Sequence, residues 1–402
     1  MKMNKLFFLP LLAMLVTGCK NSFSSSITIT IWEDESNVEM VEELANEFIT
    51  EYRKVYENTP KINLKIIEQA EKSAIEEMTR GIAESGNGPD IASVTHDTIA
   101  SGVYNKVLAP ASFSDALNNR MTNEAMNAVT VDGQVYGYPI TAESATIMYD
   151  SSKVSASELV SFDALLASGK KLSWTLTGDN GGYYTWGIYT DSVLFGSDGK
   201  DASNVNIGTT KSCANVLSFF KNYSDCFIDE EPEDAISSIE AGRTVGVVTS
   251  PFMLSSMKNS LGNNLKLAKL PKINGEDLRP FSGYKAYVVS KYSPNAALAQ
   301  ELCNYITSYD ANYYRLKKAG YLPAVALDAT PEIAAEIASS EEASVFASSL
   351  ADSMVMPNIS EMANFWKPMN NASTYFKNNA SSLDAATVKN KLDEVTSTLL
   401  GN

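Results

Sequence analysis

Apolar and polar residues alternate at the first regular stretch of the chain: Ile27, Ile29 and Ile31 interleave with Ser26, Thr28 and Thr30, and Trp32 closes the run. A period of two predicts a β-strand with one face in a core. The polar loop Glu33-Asp34-Glu35-Ser36-Asn37 follows, and Val38, Val41, Ala45, Phe48 and Tyr52 then fall on one side of a helix. The cycle repeats: Ile62, Leu64 and Ile66 predict a second strand, and Ile75, Met78 and Ile82 a second helix. Gly86-Asn87-Gly88-Pro89-Asp90 turns the chain into the short apolar run 91–94, a buried strand ending in Thr95-His96-Asp97. This alternation predicts an α/β architecture with a parallel sheet covered by helices. Ligands of such sheets gather beyond the carboxyl ends of the strands, which puts residues 33–37 and 95–98 at a candidate site.

Further along, Val131-Asp132-Gly133-Gln134 predicts a hairpin turn, and 135–140 and 147–149 predict strands. Between those strands, Thr141-Ala142-Glu143-Ser144 reads as a first crossing between lobes. A short helix is expected at 159–166, a strand at Trp174, and a helix opening at Gly181-Gly182-Tyr183-Tyr184-Thr185-Trp186, with three aromatics in four positions. Helices at 210–221 and 232–241 and strands at 244–248 and 265–270 follow. Ser282-Gly283-Tyr284 reads as a flexible return to the first lobe, before a strand at 286–289 and a helix at 295–306. Residues 320–325 read as loop, and helices fill most of the remainder. Near the end Pro357 and Asn358 are loop residues and Ser360 is an N-cap candidate. Met362, Phe365 and Trp366 then recur at helical spacing, so an indole is delivered at the first turns of a helix.

At 402 residues the chain exceeds the size at which a single core keeps growing, so two lobes are expected. The N-terminus has its own character. Lys2 and Lys5 precede the apolar run 6–16, and Leu15-Val16-Thr17-Gly18-Cys19 follows. This resembles a bacterial lipoprotein signal, with residues 1–18 removed, lipid on Cys19, and 19–26 as lipidated cysteine and polar tether to a membrane. A net charge of −16 argues against nucleic acid as a partner, because phosphate contacts need clustered Lys and Arg. Cys213, Cys226 and Cys303 form an odd set without a Cys-x-x-Cys pair, so neither a disulfide framework nor a metal site follows, and a single Cys213–Cys226 bridge stays open. His96 is the only histidine, which leaves metal binding and histidine-based nucleophilic catalysis without a second partner and suits a packed, hydrogen-bonded role.

Several runs occur in one order across nearly the whole chain: Ile31-Trp32, Gly88-Pro89-Asp90-Ile91, His96-Asp97, Tyr138-Pro139-Ile140 with Glu143 and Tyr149, Tyr183-Tyr184-Thr185-Trp186, Leu322-Pro323-Ala324-Val325-Ala326-Leu327, and 356–366. Together they resemble the family 1 extracellular solute-binding proteins, and most of all their maltose/maltodextrin-binding branch. The resemblance implies a type II periplasmic-binding-protein-like fold with discontinuous α/β lobes joined by a three-crossing hinge. Lobe 1 would comprise 27–141 plus 284–335, and lobe 2 would comprise 142–283 plus 336–402. It implies a monomeric receptor, not an enzyme and without a cofactor, that closes over a maltodextrin-type oligosaccharide. Its partners would be two permease subunits and an ATPase of an ABC importer.

Sugar chemistry accounts for the residue types. A pyranose has apolar C–H faces for aromatic platforms and a rim of hydroxyls for carboxylates and amides. On the matching positions, Trp366, Tyr183, Tyr184 and Phe252 would be platforms, and Asp97 and Glu143 would accept sugar hydroxyls. Glu35 and Asn37 lie in a loop that aligns only with a gap, and Glu76 and Glu77 correspond to an acidic pair at the cleft edge. The chain also departs from the family: Val94 stands where a tryptophan precedes the His-Asp pair, Thr98 for an arginine, Gly181 for a glutamate and Phe252 for a tryptophan. These departures admit another oligosaccharide or small solute. Two other classes fit some residues: a glycosidase with Asp97 and Glu143 as acid and base, which has no hydrolase motif beside it, and a peptide or amino-acid receptor, which calls for a basic cleft residue where none is assigned.

Overall fold

The computed structural model describes residues 26–57, 59–327 and 330–401, so the expected signal segment and Cys19 lie outside the described residues. The opening alternation forms β1 (Ser26–Glu33), in which Ile29 and Ile31 are fully buried. The 3.6-residue period forms α1 (Val38–Val55), burying Met40, Val41, Leu44, Ala45, Phe48 and Tyr52 on one face. β2 (Lys61–Glu68), α2 (Ala74–Ser85) and β3 (Ile91–Thr95) follow, and β1 pairs in parallel with both other strands. Asp132 (φ 50°) and Gly133 (φ 77°) supply the two left-handed residues of a tight hairpin, as their sequence predicts.

Two sheets organise the chain. The first has seven strands: β2, β1, β3, Phe281–Ser290 and Met354–Val355 in line, with Leu108–Ala109 and Gly137–Ser144 also paired to Phe281–Ser290. The second has five, in the order Phe227–Ile228, Leu172–Ser173, Gly246–Thr249, Thr146–Asp150 and Leu265–Ala268. An aromatic cluster fills the second body, where Trp174 packs on Phe162, Phe219 and Phe227 at ring separations of 5.2–5.9 Å. The three cysteines are buried and free, so Cys213 and Cys226 do not pair.

Three expectations need correction. Residues 282–284 are not a flexible return but part of the opening half of the continuous strand Phe281–Ser290, with Ser282, Gly283 and Tyr284 opposite Ser144, Glu143 and Ala142. Thr141–Ser144 is likewise strand, so two crossings between the sheets run as one antiparallel ribbon. Ladder bonds there satisfy backbone groups that a loop would leave to water, and Ser144 Oγ donates to Phe281 O at 3.0 Å. Ser360 does not cap a helix: its hydroxyl donates to Glu361 at 2.9 Å, residues Ser360–Asn364 form a 3-10 turn, and the α-helix Trp366–Asn378 starts at the tryptophan itself. Trp174 falls just past its strand, held by its N–H donating to Ile228 O.

Candidate functional site

A cleft of about 930 Å³ opens where the crossings meet, walled by residues of both sheets' connections. Six of the ten expected ligand residues line it: Asp97, Glu143, Tyr183, Tyr184, Phe252 and Trp366. Asn37 instead faces a small pocket beneath it. Glu35 and Glu76 are exposed and outside the cleft lining, and Glu77 pairs with Arg80 on the surface of α2.

The aromatic wall is built from the core outward. Trp186 stacks flat on Phe281 (4.7 Å, 1° between planes), and Phe365 stands edge-on to both. Trp366 then sits edge-on to Phe365 at 5.1 Å and to Phe281 at 6.4 Å, with part of its indole facing the cleft. Being the first residue of its helix on a fully buried neighbour, the ring is held before any ligand arrives. Tyr183 packs edge-on to Tyr184, and Asn370 ties their turn to the tryptophan helix by accepting from Gly182 N–H at 2.7 Å and donating to Asp179 O at 2.9 Å. A Cβ at Gly181 would lie 2.7 Å from Leu176 O, so the turn admits no side chain there and the family's glutamate has no room. Phe252 is 43% exposed, a high value for a phenyl ring, and lines the cleft. Val94 is fully buried in the first sheet's core and offers no platform.

Opposite this wall stand the two carboxylates. Asp97 leaves the end of β3 in a one-turn 3-10 helix, and Glu143 projects from the crossing ribbon. Neither has a hydrogen-bond partner among the described residues, which leaves both free to accept from ligand hydroxyls. Burial raises the Glu143 carboxyl above its ordinary range, the nearby Lys285 charge opposes that shift and Glu71 adds to it. Between the two acids His96 is fully buried: its Nδ1 accepts from Tyr284 N–H at 3.1 Å, so the proton is on Nε2, which donates to Met356 O at 2.8 Å. The packed, hydrogen-bonded role expected of it is the one it has.

Below the ribbon lies a group of buried charges. Tyr287 Oη donates to Glu33 at 2.8 Å and accepts from Arg315 at 3.3 Å; Lys285 Nζ lies 2.7 Å from Glu71, which also accepts from Ser93 at 2.7 Å. Burial pushes the Glu33 carboxyl up to about 7, with the Glu71 charge adding and Tyr287 and Arg315 opposing. Unfolded, it titrates near 4.5. Between those values the folded chain holds a proton that the unfolded chain releases, so this contribution to stability falls as pH rises from 4.5 through 7. Glu33→Gln is expected to gain on wild type over that window by about 3 kcal/mol. Denaturant midpoints of the two proteins across a pH series measure this, and a constant gap would refute it.

Residue-by-residue reading of the sequence missed Lys72, Asp179, Asn180, Glu231, Glu233, Lys367, Asn370, Asn371 and Thr374, all of which line the cleft. The acidic run 229–234 just before a helix was a usable signal for Glu231 and Glu233. Lys72 and Lys367 correct the expectation of a cleft without basic residues, although the acids Asp97, Glu143, Asp179, Glu231 and Glu233 outnumber them. Among the described residues, no group of His, Cys, Asp and Glu is arranged to hold a metal, and no helix is long and apolar enough to cross a membrane.

Two α/β bodies joined by strand-like crossings, with an aromatic and carboxylate cleft at the junction, define a two-lobed binding protein. The sequence profile of the bacterial extracellular solute-binding proteins matches residues 47–342, and the chain belongs to that family. It is 25% identical to the galactooligosaccharide-binding protein of Bacillus subtilis over 375 residues, covering 87% of this chain and 85% of the relative. It is 23% identical to the maltodextrin-binding protein MdxE of the same organism, covering 81% of each. The solved structure of the maltodextrin-binding protein MalE1 from L. casei superposes with a TM-score of 0.78 at 21% identity, covering 93% of this chain and 99% of that one. The fold is the two-lobed periplasmic-binding-protein fold anticipated from the sequence.

Proposed function

We propose that this chain is an extracytoplasmic receptor that binds maltodextrin-type oligosaccharides in the cleft and delivers them to an ABC importer. The observation that carries the reading is the pairing, across one cleft, of a fixed indole face at Trp366 with two unpartnered carboxylates at Asp97 and Glu143. Flat C–H faces and a hydroxyl rim are what such walls bind. The acidic excess of the lining disfavours anionic solutes, and nothing in the family's description supports hydrolysis. In this proposal the chain is monomeric, anchored by lipid on Cys19, with lobes 27–141 plus 284–335 and 142–283 plus 336–402 closing about the crossing ribbon. Its partners are two permease subunits with an ATPase.

A second reading, galacto-oligosaccharides, is favoured by the Bacillus relative that binds them and by the absence of a platform at Val94 and of a carboxylate at Gly181. Thermal melting of residues 20–402 against maltose, longer maltodextrins, galacto-, cello-, xylo- and fructo-oligosaccharides and amino acids separates the two, because a ligand of the folded state alone raises the melting point. A shift with maltodextrins is expected. A shift with galacto-oligosaccharides alone would install the second reading, and silence with every sugar would end both.

A further inference from the structure

Beneath the cleft, and continuous with it at Glu143 and Phe252, which line both, lies a pocket of about 20 Å³. That is room for one water-sized group, such as a single hydroxyl. Asn37 enters it from the loop after β1, Lys285 from the strand Phe281–Ser290, and Glu143 from the crossing ribbon.

Strand register decides how the last two meet. Gly283 lies opposite Glu143 and Lys285 opposite Thr141, so Lys285 and Glu143 are diagonal neighbours on one face of the ribbon. The residue directly across from Glu143 has no side chain, which leaves the carboxylate open on that flank.

The hydrogen-bond inventory of the pocket is unbalanced. Asn37 is 8% exposed, yet no protein donor reaches its Oδ1 among the described residues. A buried acceptor without a donor is costly unless something else supplies the proton. Glu71 has both oxygens engaged, by Ser93 and by Lys285, while the Lys285 ammonium carries three hydrogens and spends one on Glu71. The pocket thus offers unused acceptors at Asn37 and at Glu143, which also lines the cleft, and unused donors at Lys285. A hydroxyl satisfies both at once, donating to Asn37 Oδ1 and accepting from Lys285 Nζ. A carboxylate has no proton for Asn37, and an ammonium would sit against Lys285.

We propose that this pocket is a specificity subsite that takes one hydroxyl of the sugar unit bound nearest Glu143, with Asn37 and Lys285 as the residues that read it. The inference rests on the oligosaccharide reading above and names the residues that select among oligosaccharides.

The test uses Asn37→Ala and Lys285→Met in residues 20–402, titrated calorimetrically with maltotriose, with β-1,4-galactotriose, and with the monodeoxy forms of whichever the wild type binds. Each variant should lose about tenfold in affinity for the parent sugar. One monodeoxy form should bind wild type about tenfold more weakly than the parent does, yet lose nothing further on Asn37→Ala, the coupling expected when both changes delete the same contact. Lys285→Met strips the partner from buried Glu71, so its melting point is measured alongside; Asn37→Ala removes an amide whose oxygen has no protein donor and keeps the test decisive if the lysine variant fails to fold. Wild-type affinity in Asn37→Ala, or strict additivity with every monodeoxy form, overturns the subsite while leaving the receptor reading intact. If wild type binds neither trisaccharide, the receptor reading for these sugars fails and the subsite fails with it.

Discussion

Trp366→Ala is expected to lower affinity for the bound oligosaccharide by about 30-fold or more, equivalent to roughly 2 kcal/mol, while leaving the fold intact. The size follows from preorganisation. The indole is braced edge-on by Phe365 and Phe281, and Phe365 is fully buried, so little side-chain freedom remains to be lost when a sugar face settles on it. Stability should change little, because the ring is partly open to the cleft and the core pairs Trp186–Phe281 and Phe281–Phe365 do not depend on it. Trp366→Phe should recover part of the loss. Fluorescence gives an independent check: of the four tryptophans, Trp174 and Trp186 are 0% and 1% exposed and half-buried Trp32 is not part of the cleft lining, so a ligand-dependent change in emission should disappear with Trp366. Undiminished affinity in the alanine variant would remove Trp366 from the site.

The largest effect on stability is expected at His96. Its imidazole accepts from Tyr284 N–H and donates to Met356 O, joining the crossing ribbon to the segment that leads into the tryptophan helix. His96→Ala leaves a buried donor, a buried acceptor and a cavity, which together cost about 3 kcal/mol or more. Chemical denaturation should show this as a lower midpoint, with a smaller loss in His96→Asn, which can restore one of the two bonds. Burial lowers the imidazole's affinity for protons, and the adjacent Asp97 only partly opposes this. The folded chain therefore keeps His96 neutral where the unfolded chain protonates it, so the advantage of wild type over His96→Ala should shrink as pH falls below about 6.5. A gap that widened on acidification would contradict the neutral assignment. Asp97 flanks this histidine, so ligand affinity should fall together with stability.

The limits of sequence reading show in particular residues. The period-two and period-3.6 patterns of β1 and α1 follow from one buried face each, and such faces are visible in one dimension. Residues 282–284 look like a turn because Ser, Gly and Tyr carry no strand periodicity, yet Gly137–Ser144 pairs with all three, Met354–Val355 adds to Ser282 on the other side, and His96 takes the Tyr284 N–H. Ser360 has the composition of a cap, but a neighbouring carboxylate captures its hydroxyl. Asp97, Glu143 and Trp366 were legible because they sit in ordered motifs, whereas Lys72 and Lys367 carry no local mark of a cleft.

What the sequence by itself determined is the alternation that makes an α/β fold, the order of motifs that marks the family, and six of the aromatic and acidic residues that line the cleft. Periodicity and local chemistry suffice for these, since each depends on residues near one another along the chain. The tertiary structure alone decided that Glu143 and Lys285, distant in sequence, lie diagonal on one ribbon, that Asn37 turns its amide into a pocket beneath the cleft, and that Gly181 cannot carry a side chain. Contacts of that kind are set by register and close packing between segments far apart in the chain, and no single segment encodes them.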